Sequence, residues 1–253
     1  MRVLLLLSIA MLLLSCAGLS TKQSSTMYTG LGDMYAQGNR FAEAENYYNK
    51  AHVLEPDKAD VMFKLAEAQT QQGKFNQAMA TYNQILNKHP QNHIVRYRLA
   101  RVHMSTGELS NALSQYRLLL KNNKKDFQAL NGLGVLLDNL SQFSLAKICY
   151  QQGLKYAPRN YALLNNLGVS YALSGNLVQA EQFLDKASVL SSNARLKANK
   201  TLIMDYYEKF KDSLIRQRAL KQSLLIKNIY GSPGLLQQAT HLAKLDCNNN
   251  RSP

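Results

Sequence analysis

The sequence predicts an all-α solenoid of stacked helix pairs, and three observations carry that reading. A period of 34 residues runs without a gap through five blocks, 25–58, 59–92, 93–126, 127–160 and 161–194. Leucine holds the seventh place of every block, glycine or alanine the eighth, and alanine the twentieth. Turn-forming residues follow the first half of most blocks, and proline stands near the end of three of them. A unit of this length cannot bury its apolar face alone, so neighbours must stack to share a core.

The chain opens with Arg2 and then a twelve-residue apolar run, Val3 to Leu14, broken only by Ser8. At about 1.5 Å per residue a helix of that run reaches about 18 Å, well short of the ~30 Å hydrocarbon core of a bilayer. Charge, apolar run and small residues in that order make an export signal. An ordinary signal peptide cut near Ser15 or Ala17 would leave Cys16 incidental. Leu13-Leu14-Ser15-Cys16 resembles a bacterial lipobox, however. That likeness implies a lipoprotein signal over residues 1–15, lipidation of Cys16 and a lipidated linker over 16–24. Several acyl chains on one residue anchor far more firmly than one. Ala17, rather than Asp, implies the periplasmic side of the outer membrane of a Gram-negative bacterium, by the sorting rule of such lipoproteins.

Each block then reads as helix A, roughly its first 14 residues, a turn, and helix B. The eighth places are Gly32, Ala66, Ala100, Gly134 and Gly168, and the twentieth are Ala44, Ala78, Ala112, Ala146 and Ala180. Small residues at both places let the two backbones approach. The leucines and the twenty-fourth-place residues, Tyr48, Tyr82, Tyr116, Tyr150 and Leu184, fill the space around them. Gly73, Gly107 and Gly175 supply the left-handed backbone that favours a helix stop, and Asn39 after Gly38 serves in the first block. Pro56, Pro90 and Pro158 separate helix B from the next helix A. This pattern resembles the tetratricopeptide repeat (TPR). The resemblance implies a right-handed superhelical solenoid of about five repeats plus C-terminal capping helices.

After Asn193 the pattern decays. A helical stretch from about Leu196 to Ile229 holds Leu202 and Leu214 where small residues stood, so residues 195–230 read as divergent capping helices. Gly231-Ser232-Pro233-Gly234 breaks the chain, and residues 231–253 are expected to form a short helix and a disordered tail. Cys149 and Cys247 read as two unpaired thiols because no disulfide framework is visible, with pairing in an oxidising periplasm as the alternative. The net charge of +14 is concentrated in the third block and beyond residue 195. In an exported, anchored chain that excess meets anionic headgroups, an acidic protein or only water, and nucleic acid is not expected as a partner.

Catalytic motifs do not survive inspection. His89 and His93 are four apart but straddle Pro90 and a helix boundary, so no metal is expected there. Ser170, in Gly168 to Ala172, falls inside helix A rather than on a strand-to-helix elbow. Gly132-Leu133-Gly134 has no preceding strand to make it a nucleotide loop. The chain is read as a non-enzyme, with no cofactor and no small-molecule substrate.

In this repeat class helix A lines the concave face through places 2, 5, 9, 12 and 13. Those places give a candidate peptide groove of Phe63, Glu67, Tyr97, Arg101, Met104, Asn131, Asp138 and Asn165, with Asn139 beside them. Phe63 and Tyr97 are expected to stand exposed, as anchors for a partner's apolar side chains. Asn131 with Asn165 suits the backbone of an extended peptide. The alternative is a solvated polar face. The clamp that some repeat proteins use on chaperone carboxylates is excluded, since the first block has Thr29 and Asp33 where that clamp needs Lys and Asn. Arg96, Arg98 and Arg101 offer a different anionic contact.

Two stretches narrow the likeness. ALNGLGVLLDNL, Ala129 to Leu140, and APRNYALLNNLGVSYALSGNLVQAE, Ala157 to Glu181, resemble the TPR lipoproteins of tight-adherence (Tad, or Flp) pilus assembly, the TadD family. Arg195 and Asn199 fit the helix that follows in that family, whereas Met204 to Gln217 departs from its alanine-rich second helix. The resemblance implies an outer-membrane scaffold that helps the secretin, or another component of pilus or secretion machinery, reach or keep its position. A pilotin or type IV pilus biogenesis lipoprotein uses the same modules. So does a general envelope adaptor for outer-membrane assembly or peptidoglycan enzymes.

Overall fold

In the computed structural model, described for residues 20–191, 197, 198, 200, 201, 203–205 and 247, ten helices run in succession between Thr21 and Leu190. They are α1 (Thr21–Gln37), α2 (Phe41–Leu54), α3 (Ala59–Gln71), α4 (Phe75–Lys88), α5 (His93–Ser105), α6 (Leu109–Asn122), α7 (Phe127–Asn139), α8 (Phe143–Tyr156), α9 (Tyr161–Leu173) and α10 (Leu177–Leu190). Among the described residues there is no strand, and no helix is long and apolar enough to cross a membrane. Odd-numbered helices are the A helices of the five blocks and even-numbered ones the B helices. Residues 197, 198, 200, 201 and 203–205 are helical, within the stretch expected from Leu196. The export signal, Cys16 and the short helix expected after Gly234 lie outside the described residues.

Local chemistry sets the helix ends. Four A helices stop on a left-handed residue at places of the expected type, Asn39 (φ 58°), Gly73 (φ 74°), Gly107 (φ 76°) and Gly175 (φ 77°). The fourth block does so without glycine, on Ser141 (φ 57°), which no sequence signal marked. At the other end, α1 starts earlier than its block. The Ser20 hydroxyl accepts from the Gln23 amide (3.2 Å) while the Ser20 amide donates to Gln23 Oε1 (2.9 Å), a reciprocal capping box. The linker expected to run to residue 24 therefore gives way to helix at Thr21. The sequence signal for this is Ser20-x-x-Gln23.

The eighth-place glycines are filled by side chains as much as by backbone. A Cβ on Gly32 would lie 2.4 Å from Tyr48 Cε1, and one on Gly134 would lie 2.4 Å from Tyr150 Cε1. The twenty-fourth-place tyrosine thus lies on the bare backbone of its own helix A. Gly132 gives Tyr116 the same clearance from the following block, where a Cβ would come within 2.3 Å of that ring.

The chain divides into two units, residues 1–95 and 96–253, with the division inside α5. In the first, α1 packs on α2, α2 on α3 and α3 on α4, around a cluster that includes Ala44, Tyr48, Leu65 and Ala68. In the second, α6 to α10 pack each on the next, and α7 also meets α9, around a core that includes Tyr116, Leu120, Leu133, Leu137, Tyr150, Leu163 and Leu167.

One expectation is corrected in this second core. Cys149 on α8 and Cys247 are not free thiols; they form a disulfide, with Cα atoms 4.8 Å apart and both residues buried. They are 98 residues apart in sequence, so their pairing depends on where the C-terminal segment returns, which no local pattern encodes. Cys247, expected in a disordered tail, belongs to the core cluster instead.

Candidate peptide-binding surfaces

In the first unit α3 carries Phe63 and Glu67. Neither is free in the way the sequence suggests. Phe63 is half-buried, its ring tilted 55° against Tyr82 at 6.2 Å. The Glu67 carboxylate accepts the Tyr82 hydroxyl. The first block repeats the arrangement, since Asp33 accepts Tyr48 Oη–H at 2.8 Å and is also paired with Lys64 Nζ at 2.8 Å. Burial, and then the Asp33 carboxylate, hold the Tyr48 phenol well above its ordinary pKa. A ninth-place carboxylate therefore secures the twenty-fourth-place tyrosine in both blocks, which is why these tyrosines stay buried with their polar tips satisfied.

A second polar site in this unit joins the first two blocks. Glu45 on α2 accepts from Gln72 Nε2 (2.8 Å) and Gln69 Nε2 (3.5 Å) and pairs with Lys74 Nζ (2.6 Å). Burial pushes its carboxyl up, but the Lys74 ammonium and the Gln amides outweigh that and leave it below the usual range.

In the second unit α5 carries Tyr97, Arg101 and Met104. Tyr97 is half-buried and tilted 59° against Tyr116 at 6.4 Å, Met104 packs on the core, and Arg101 is exposed. The ninth place here is Arg101, so the repeat supplies no carboxylate for Tyr116 at that place. Burial raises the Tyr116 phenol, with Arg101 pulling the other way. Arg96 does not stand clear of the fold either; it donates to Gln115 Oε1 at 2.8 Å, and burial lowers its pKa.

Asp138 at the end of α7 accepts two hydroxyls, Tyr150 Oη–H and Ser170 Oγ–H, each at 2.7 Å. It thereby ties three consecutive helices, α7, α8 and α9. Burial raises its carboxyl to about 6, against the opposing pull of the two hydroxyls and Lys147. Ser170 is fully buried, and its hydroxyl works as this hydrogen-bond donor. The signal for it is columnar: the tenth place holds Ala68, Val102 and Leu136 in the three preceding blocks, and serine breaks that apolar column.

Asn131 and Asn165 are joined through Asn166, which the register does not select. Asn166 Nδ2 donates to Asn131 Oδ1 at 3.0 Å, and Asn165 Nδ2 donates to Asn166 Oδ1 at 3.2 Å. The Asn165 Oδ1 atom is buried without a partner among the described residues. Asn139 is exposed and donates to the Val135 carbonyl at 2.9 Å. The predicted set thus falls into two groups, Phe63 and Glu67 in the first unit and the other six in the second.

Profiles of the tetratricopeptide repeat match residues 35–94, 71–134 and 131–194, which together span more than half of the chain. Among solved structures, TTC0263, a thermophilic TPR protein of Thermus thermophilus, is similar with a TM-score of 0.63 at 17% identity, over 71% of this chain and 98% of that one. A chain of the APC/C hetero-tetramer Cut9–Hcn1 gives a TM-score of 0.63 at 20% identity, over 90% of this chain and 41% of that one. MamA from residue 41 to its end, from Desulfovibrio magneticus RS-1, gives 0.56 at 16% identity, over 69% and 99%. At such identities the likeness is one of fold. Among curated proteins, none matches this chain.

Proposed function

This chain belongs to the tetratricopeptide-repeat family, whose members act as protein–protein interaction scaffolds, and on that premise we propose that it is a non-enzymatic, lipid-anchored scaffold of the outer membrane. In this reading it holds the secretin, or another component of a Tad/Flp pilus or secretion machine, from the periplasmic side. The observation that carries the reading is the order of its modules: an export signal ending in Leu13-Leu14-Ser15-Cys16, then repeats that begin almost at once. The likeness of residues 129–140 and 157–181 to TadD-type lipoproteins supports the choice of machine. A buried disulfide supports an oxidising compartment, because such bonds are rare in the cytosol.

The binding surfaces are read from what each unit leaves over. Asp33, Glu67 and Asp138 are spent on the tyrosines of helix B, so recognition falls to the face of Phe63 in the first unit and, in the second, to the face of Tyr97, exposed Arg101 and the asparagine chain. A buried acceptor without a donor costs on the order of 1–3 kcal/mol. Asn165 Oδ1 bears that cost in the free chain, and its amide would have to turn outward before a partner's N–H could reach it. Anchoring is tested by fractionation and by the mass of the N-terminal peptide. The wild type is expected in the outer membrane with an acylated Cys16, and Cys16→Ser in the soluble periplasm. Membrane retention of Cys16→Ser would overturn the anchor.

A further inference from the structure

We infer that the outward face of α1, built on Met27, Leu31 and Met34, rests on an anionic phospholipid surface, the same bilayer that holds the lipidated Cys16. The inference depends on the lipid-anchor reading, and adds to it a defined protein surface in contact with lipid. Its first support is reach. With the capping box starting α1 at Thr21, only Ala17 to Ser20 separate the helix from Cys16. Fully extended, five peptide steps span about 17 Å. The headgroup zone on each side of a bilayer is roughly 5–8 Å deep, so the first turn of α1 stays within about 10 Å of the lipid surface. A helix held that close and about 25 Å long can lie along the bilayer and present one face to it.

The second support is the chemistry of that face. Ser25, Thr29 and Gly32 mark the inward side of α1. Met27 (44% exposed) and Met34 (56% exposed) emerge opposite, linked at helical spacing by half-buried Leu31. Among the described residues outside α1's own backbone nothing lies within 4 Å of the place a Gly30 Cβ would take, so the surface beside them is open. The single carboxylate of α1, Asp33, is already held by Tyr48 and Lys64, and no uncompensated acid of this helix opposes anionic headgroups.

The flank completes an interfacial set. The Tyr35 ring stacks on Tyr47 at 5.3 Å, and Tyr28 lies 6.3 Å from Tyr47. Cations cover these rings: Lys50 Nζ lies 4.9 Å from the centroid of Tyr47, and the Arg40 guanidinium, itself paired with Glu43, lies 4.7 Å from that of Tyr35. Methionines at the acyl boundary, tyrosines at headgroup depth and cations toward phosphate are how a helix lies in an interface. Met27 and Met34 stand at the third and tenth places of the first block. In later blocks the third place buries Val61, Val95, Ala129 and Leu163 and the tenth buries Ala68, Val102 and Leu136, so among the described residues this apolar stacking face of α1 is left uncovered.

The chain has no tryptophan, which makes the test direct. The full lipidated protein, carrying Met34→Trp or Met27→Trp, is reconstituted in phosphatidylethanolamine–phosphatidylglycerol vesicles containing lipid brominated near the headgroup. Asn83→Trp, at an exposed place on α4, is the control. The inference expects blue-shifted emission quenched about twofold or more for both methionine variants and little change for the control. Equal quenching at all three places, or none at the methionines, would overturn it. The two failures remain separate. An unacylated Cys16 by mass spectrometry overturns the anchor and the inference with it, whereas an acylated protein with unquenched methionine variants overturns the inference alone.

Discussion

In the first unit Glu45 accepts two glutamine amides and pairs with Lys74 at 2.6 Å, whereas in the second Asp138 accepts two neutral hydroxyls. Both carboxylates join one helix pair to the next. Their charge states differ because their donors differ. An ammonium in contact offsets the cost of burying a charge, and neutral hydroxyls only partly do so. Hence Glu45 is held below the usual carboxylate range and Asp138 is raised to about 6. The two acids stand at different places of the repeat, the twenty-first and the twelfth, and the local donor decides what each does with pH.

The largest expected difference between the units comes from the disulfide, which joins two residues of the second. Cys149→Ser should cost the second unit about 2–4 kcal/mol. Hydrogen exchange should show α7 to α9 losing protection while α1 to α4 keep theirs. Asp138→Ala comes next, with a loss of about 2–3 kcal/mol in urea unfolding, because the buried Tyr150 and Ser170 hydroxyls lose their shared acceptor. Glu45→Ala should cost less, since Lys74 is 44% exposed and is solvated by water once freed.

The pH dependence separates the two acids by sign. The Asp138 carboxyl is raised from 3.8 to about 6, so the folded chain binds its proton more tightly than the unfolded chain does. Its contribution to stability is complete below about 4 and is lost as pH rises through about 6, a change on the order of 3 kcal/mol. Glu45 is lowered from 4.5, so its contribution is present above that value and is lost as pH falls below it. Urea midpoints measured between pH 7 and 4 should flatten in Asp138→Asn and not in Glu45→Gln over the upper half of that range. The smallest effect is that of the tyrosine tips. Tyr150→Phe should cost about 1 kcal/mol and Tyr48→Phe less, because Asp33 keeps Lys64.

The helix pairs are legible in the sequence because each constraint acts within one block. Alanine at place twenty, the left-handed residue after helix A and the proline after helix B all report local geometry. Ser141 escapes because serine does the same work without a distinctive identity. The candidate site is legible only in its outline. Register selects Glu67 and Asp138 as groove residues, but a facing position does not reveal that a tyrosine from helix B has already claimed the carboxylate. Asn166, one place from its predicted neighbour Asn165, and the Cys149–Cys247 bond are long-range facts. Nothing within a 34-residue window records them.

In the proposed reading the repeat surfaces hold a partner while the lipidated N-terminus holds the membrane. The most direct measurement is crosslinking in native envelopes, with quantification of the proposed partner, the secretin or another assembly component, among the captured proteins. Phe63→Ala combined with Tyr97→Ala should lower capture about tenfold while leaving the outer-membrane fraction of the protein unchanged, as expected where aromatic anchors dominate binding. Undiminished capture by that double variant would contradict the role given to the repeat surfaces.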